Sequence, residues 1–183
     1  KMGNGVWTVE LIPAEIEPPP RTPTSASGNR VRIGTDQVTN WGDHANLVVA
    51  FNEQVLLARH RLGALAEDCL LLVENCWATH ADETIRAAWD AAMAELGTRG
   101  YRVVGVPMEE QCLTVVDEPR KGKNMFALGI LATVYERDAG LLRELITHQF
   151  RKKSAEVVTS NLELFALGQR WAEEHLELRI HVP

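Results

Sequence analysis

The 183-residue chain carries only three cysteines, Cys69, Cys76 and Cys112, and none stands in a CxxC pair. An iron–sulfur cluster takes four ligands, usually all cysteine, so this chain cannot hold one by itself. An odd, sparse count also argues against a disulfide framework. It predicts reduced thiols in a cytoplasmic protein, with buried structural sulfurs. Long apolar runs are missing, and nothing approaches the roughly 18 residues that span a bilayer. The first residues show no secretory signal. Positive charge is not in excess: 19 Lys and Arg face 25 Asp and Glu, for a net −6. This balance, with no basic stripe, argues against a dedicated nucleic-acid binder. The six histidines, His44, His60, His80, His148, His175 and His181, are scattered, with no HExxH or paired spacing. No metal site is expected from them. GxSxG, GxGxxG and GxxxxGK[ST] are all absent, which removes the nucleophile elbow, the dinucleotide fingerprint and the P-loop.

What is present reads as one ordinary globular domain. Hydrophobic residues make up 45% of the chain, and a domain of this size buries roughly 70% of the surface its unfolded chain exposes. Residues 6–12 are β-branched and apolar and predict a strand. Residues 13–29 hold five of the eight prolines and predict a long loop. Residues 31–33 form a short strand candidate. The continuous apolar runs at 46–51, 69–74 and 101–106 predict buried strands of a parallel sheet. Between them, 53–62 reads as a helix capped by Asn52. Residues 82–96 put Ile85, Ala88, Trp89, Ala92 and Met93 on one helical face. Helical spacing returns at 124–135, 139–150 and 155–175. Strands alternating with helices predict an α/β fold, with a largely parallel sheet and the C-terminal helices packed on it.

Few residues suggest chemistry. Lys121-Gly122-Lys123-Asn124 opens a helix and can offer an anion backbone N–H groups and the Lys123 ammonium, or be no more than a cap with solvated lysines. Glu15 sits on a proline-stiffened loop beyond the first strand, placed either to meet a ligand or to face solvent. Cys76 follows a strand at the sheet's carboxyl edge, where open α/β folds keep their sites. Neighbouring Trp77 points to a packed sulfur there. Arg151-Lys152-Lys153 ends a helix, where cations suit the dipole. Asp43-His44 reads as a turn.

Several strings, taken in order, resemble the γ-type domain of 2-oxoacid:ferredoxin oxidoreductases. They are PAEI at 13–16, SGNRVRIG at 27–34, GDHANLVVAFNEQVL at 42–56 and VGVPMEE at 104–110, followed by GKNMFALGIL at 122–131, FRKK at 150–153 and NLELFALGQRWAEE at 161–174. GKNMFALG with FRKK is most similar to the 2-oxoglutarate enzymes, where such a domain begins a larger α subunit. The resemblance implies a Rossmann-like domain over 1–176, with 177–183 a tail or linker. Against the family pattern, the chain enters at the end of the first helix, and the first strand and its Gly-rich turn are not found.

The resemblance also implies a reaction. These enzymes cleave a 2-oxoacid with thiamine diphosphate, pass electrons through iron–sulfur clusters to ferredoxin, and release an acyl-CoA and CO2. The thiamine diphosphate and the clusters belong to partner domains or subunits. The γ-type domain is itself non-catalytic and helps close the site or handle coenzyme A. Lys123, Asn124 and Glu15 are then the expected ligand-side or interface residues. The alternative is a Rossmann-like binding or assembly module with no direct role in turnover. Pyruvate or an aryl pyruvate remains open as the substrate. Neither nucleic acid nor a membrane is expected as a partner.

Overall fold

A computed structural model of the chain describes residues 3–11 and 28–182. These fall into two compact units that meet in sequence between Val106 and Pro107.

Among the described residues, the first unit holds all the strands. β1 (Gly5–Leu11) and β2 (Gly28–Gly34) pair antiparallel as a two-stranded ribbon, with Gly5 opposite Gly34 and Leu11 opposite Gly28. β3 (Ala45–Ala50), β4 (Leu65–Glu74) and β5 (Arg102–Val106) form a separate parallel sheet in that order. The crossovers are α1 (Glu53–Arg61) and α2 (Glu83–Gly97). The mostly parallel sheet is therefore real, but the first two strands stand outside it and run against each other. β4 also starts four residues before the apolar run at 69–74, because exposed Glu67 and Asp68 hide its first turn of alternation.

Helix starts follow from single side chains. Asn52 accepts the amide of Gln54 at 2.7 Å, and Asp82 accepts that of Thr84 at 2.8 Å, each satisfying a first-turn donor with no partner inside the helix. Acidic Glu53 opens α1 and Arg59, His60 and Arg61 close it, as the helix dipole favours. One face of β4, through Cys69, Leu71 and Val73, packs with Leu56 and Leu57 of α1 and with Trp89, Ala92 and Leu96 of α2.

At the other end of these helices Arg61 grips Glu95 through two nitrogens, at 3.3 and 3.0 Å. The hydrogen bonds from Arg61, then its charge, hold the Glu95 carboxyl below its ordinary range. A depressed carboxyl adds stability above its unfolded-state value, and that contribution is lost as pH falls through the folded value. Arg61→Ala is expected to return Glu95 towards ordinary carboxylate titration, read by NMR of its side-chain carboxyl. An unmoved titration curve would mean that the pair has no electrostatic effect.

The second unit is helical: α3 (Met108–Cys112), α4 (Lys123–Val134), α5 (Ala139–Phe150) and α6 (Ala155–His175). Short 3-10 turns lie at Pro119–Lys121 here and at Cys76–Thr79 in the first unit. The tetrapeptide Phe-Ala-Leu-Gly occurs twice, at 126–129 in α4 and at 165–168 in α6. The two helices cross at these copies, reciprocally. A methyl built on Gly129 would lie 2.1 Å from the Phe165 carbonyl oxygen, and one built on Gly168 would lie 2.0 Å from the Phe126 carbonyl oxygen. Only glycine lets the backbones approach this closely. Phe165 also packs with Ala132 and Ile146, which ties α5 to the crossing.

α4 ends in a reciprocal carbonyl cap. The Arg137 amide donates to the Ala132 carbonyl at 2.8 Å and the Glu136 amide to that of Thr133 at 3.2 Å. The residue between cap and exit in this motif is usually glycine. Here it is Glu136 with φ of 51°, the one non-glycine at positive φ among the described residues. That conformation costs roughly 1–2 kcal/mol for an L residue. Residues 176–182 carry no regular element and lie back on this helix end: the Ile180 amide donates to the Val134 carbonyl at 2.7 Å.

Candidate functional site

The start of α4 is where the most distinctive sequence strings meet. The turn at Pro119–Lys121 delivers the chain to Gly122, which is buried. Its φ of −131° needs no glycine, but the space around it is tight. A methyl there would sit 2.7 Å from Leu164 Cδ1 of α6 and 3.4 Å from Cys112 Sγ of α3. Gly122 thus lets α3, α4 and α6 converge beneath the helix start.

Lys123 follows as the first residue of α4. Its Nζ lies 2.8 Å from Glu109 Oε2 of α3, with the lysine side chain largely covered and the glutamate half-exposed. This joins the VGVPMEE string to the GKNMFALG string by a direct ion pair. A cation in a first helical turn opposes the dipole. Glu109 offsets that, and the same compensation lowers the positive potential available to a ligand. Lys121 pairs with Glu118 at 2.8 Å. The hydrogen bond between them, then their charges, raises the lysine above and lowers the glutamate below their ordinary values. Arg120 and Asn124 are exposed beside them. The surface so formed has three cations within four residues of a helix N-terminus, two of them paired with carboxylates.

The other expected residues lie elsewhere. Glu15, on the PAEI string, falls outside the described residues. Cys69 and Cys112 are buried, and burial, then the charge of Asp68, pushes the Cys69 thiol up to about 12. Such a thiol is a poor thiolate ligand or nucleophile. Cys76 is half-buried, opens the short turn after β4, and donates its amide to Glu74 Oε1 at 3.2 Å. The adjacent Trp77 donates its indole N–H to the Phe51 carbonyl at 2.9 Å, which fixes that turn on the end of β3. Arg151 folds back on the end of α5, donating to the His148 carbonyl at 2.7 Å, while Lys152 and Lys153 are exposed. His44 is exposed beyond β2. His60 meets the Tyr101 hydroxyl at 3.0 Å, and His175 stacks on Trp171 with ring centroids 4.8 Å apart.

Glu109 is the site residue that reading the sequence misses. Fourteen positions separate it from Lys123, and no local spacing rule links them. The i,i+3 spacing of Glu118 and Lys121 was the signal available for the neighbouring pair. Among the described residues, no helix is long and apolar enough to cross a membrane.

Comparisons with known proteins bear on this arrangement. The 2-oxoglutarate oxidoreductase subunit KorA of Mycobacterium tuberculosis is 27% identical over 179 residues, covering 93% of this chain and 27% of that protein. The chain thus spans about a quarter of the length of that curated relative. Two solved structures share the fold. One is 2-oxoglutarate:ferredoxin oxidoreductase from Magnetococcus marinus, with 2-oxoglutarate, coenzyme A and succinyl-CoA bound (TM-score 0.69, 23% identity, 99% of this chain and 28% of that chain). The other is the γ subunit of keto/oxoacid ferredoxin oxidoreductase from Geobacter sulfurreducens (TM-score 0.59, 15% identity, 94% of this chain and 82% of that chain). Residues 24–171 match the description "Pyruvate ferredoxin/flavodoxin oxidoreductase". That span takes in every strand of the parallel sheet and the Lys123–Glu109 pair, and the chain belongs to the pyruvate ferredoxin/flavodoxin oxidoreductase family.

Proposed function

We propose that the chain is the γ-type part of a 2-oxoacid:ferredoxin oxidoreductase acting on 2-oxoglutarate. The reaction converts a 2-oxoacid and coenzyme A to an acyl-CoA and CO2, and passes two electrons to ferredoxin. Thiamine diphosphate supplies the carbanion chemistry of the decarboxylation when bound, and in this reading it belongs to a partner domain or subunit. So do the iron–sulfur clusters, because three cysteines, two of them buried, do not fit one. This chain's own part is to help close the site and meet the anionic end of coenzyme A.

The observation that carries the reading is the concentration of Arg120, Lys121 and Lys123 at the positive end of α4. Glu109 and Glu118 already compensate two of these cations, and a phosphate group at the helix N-terminus is an anion of the kind that can take their place. The Lys123–Glu109 and Lys121–Glu118 pairs are the resting arrangement; an incoming phosphate competes with the carboxylates. Asn124, exposed beside them, adds an amide able to donate to the ligand. Glu15 is proposed as a second ligand-side residue.

Calorimetric titration of coenzyme A into the 183-residue chain is expected to saturate. Lys123→Ala is expected to weaken binding by about tenfold or more, since a charge-assisted hydrogen bond is worth about 1.5–3 kcal/mol. The variant also leaves Glu109 facing the ligand, which adds repulsion. The chain alone is expected to show no thiamine- and coenzyme A-dependent oxidation of 2-oxoglutarate, and such turnover would sink the non-catalytic assignment.

One observation favours the second reading, an assembly module without a role in turnover. The Lys123 ammonium already has a carboxylate 2.8 Å away. Absence of coenzyme A binding, together with tight association to a thiamine-binding subunit, would decide for it.

A further inference from the structure

We infer that the outer edge of β2 takes a third strand from an acidic partner segment, one in which two carboxylates flank an apolar residue. The ribbon of β1 and β2 needs such an addition. Two strands alone are marginal in water, and a third strand or a packed face is what makes a ribbon stable. Among the described residues, neither strand pairs with any other, and neither makes a backbone hydrogen bond beyond the ladder the two share. Val6 and Val31 on one face and Trp7 on the other are all exposed.

Charge says what the third strand carries. In the antiparallel register Trp7 stands opposite Arg32 and Val9 opposite Arg30, so these four side chains share one face. Among the described residues of the ribbon, that face carries two cations and no carboxylate. Arg32 is partly engaged, donating to Asn40 Oδ1 with Gly42 beside its side chain. Arg30 is not: its Nη2 is withdrawn from water and has no hydrogen-bond partner among the described residues. A guanidinium nitrogen out of water and unpaired is costly, and a carboxylate is the group that matches it.

A strand laid along β2 sets its side chains directly opposite those of β2, on alternating faces. Carboxylates opposite Arg30 and Arg32 then lie on the Trp7 face, where opposite charges across strands attract. The residue between them falls opposite Val31, which is 54% exposed on the other face, and is apolar. The recognition element is thus acidic–apolar–acidic, with backbone hydrogen bonds supplying affinity and the two arginines fixing the register. Trp7 beside them is in keeping, since Trp and Arg are enriched at protein interfaces. A second copy of this chain is a poor occupant. Pairing β2 with itself about Val31 sets Arg30 against Arg32, and like charges directly opposite destabilise. None of this depends on whether the chain meets coenzyme A.

The test is an NMR titration of the isotope-labelled 183-residue chain with the peptide acetyl-Thr-Glu-Val-Glu-Thr-amide. Amide shifts are expected at Arg30, Val31 and Arg32, with slowed hydrogen exchange along β2. The same peptide with Gln for both Glu is expected to bind about fivefold more weakly, as two cross-strand charge pairs support. Arg30→Gln is expected to weaken the Glu peptide and leave the Gln peptide as it was. Comparing the two peptides on the native chain keeps the test independent of how that variant folds. A third strand of this kind is refuted if the Glu peptide leaves β2 unshifted at millimolar concentration, or if both peptides bind equally. It is refuted as well if free glutamate gives equal shifts, which marks a simple anion site. Shifts in β2 that grow with the concentration of the chain itself would make a second copy the occupant.

Discussion

Gly129→Ala is expected to destabilise the protein by about 3 kcal/mol or more, although alanine is intrinsically the better helix former. Propensity alone favours the substitution by about 1 kcal/mol. Against it stand the Phe165 carbonyl oxygen, 2.1 Å from the new methyl, and the Gln169 amide nitrogen, 2.9 Å away. Both are backbone atoms of a 21-residue helix and cannot rotate aside. An ordinary carbon–oxygen contact is about 3.3–3.6 Å, so the helices must part by about 1 Å. A gap of that size forfeits a quarter to a half of each dispersion contact across the seam, where Phe126, Ile130, Leu164 and Phe165 are buried. Gly168→Ala meets the Phe126 carbonyl in the same way and is expected to cost as much. At about 2–4 °C per kcal/mol for a chain of this length, the melting temperature falls by roughly 6–12 °C. Gly97→Ala in α2 is the control, because nothing lies within 4 Å of its methyl. Thermal unfolding followed by circular dichroism should show that variant unchanged or slightly more stable. Equal effects at Gly97 and Gly129 would mean that the crossing is not close-packed.

Leu71→Ala is expected to cost about 2–5 kcal/mol in denaturant unfolding, the range for a leucine removed from a core. Leu71 is fully buried on the central strand of the parallel sheet, among Leu56, Leu57, Trp89, Ala92 and Leu96. Those neighbours come from two crossover helices, each fixed at its start by a side-chain cap, so the cavity cannot readily collapse. Leu62→Ala, on a side chain 73% exposed, is expected to stay within about 0.5 kcal/mol. If both substitutions cost the same, the sheet is not the organising core of its unit.

What could be read without coordinates was local. The cap at Asn52, the bounds of α5 and α6 and the apolar runs of β3 and β5 all rest on interactions within a few residues. β4 extends beyond its apolar run because its opening, Leu65 to Asp68, mixes apolar and charged residues as an exposed strand end does. The antiparallel pairing of β1 with β2 was not legible, since partner choice across residues 12–27 leaves no mark on either strand. α3 leaves no signal in the sequence, since five residues after a proline carry no helical period. At the candidate site, Lys123 and Asn124 stood out through their string, whereas Glu109 depends on how α3 and α4 meet. Phe-Ala-Leu-Gly was in plain view twice, but its meaning lies in the crossing.

That crossing has a consequence for descent. Each glycine makes room for the carbonyl of the other helix, so neither position can be altered alone without parting both. A lineage that loses one has no intermediate in which the second still serves its purpose. The two sites, 39 positions apart, are therefore expected to be inherited as a single character. Among relatives they are expected to be kept together or replaced together, with a compensating change in the distance between the helices.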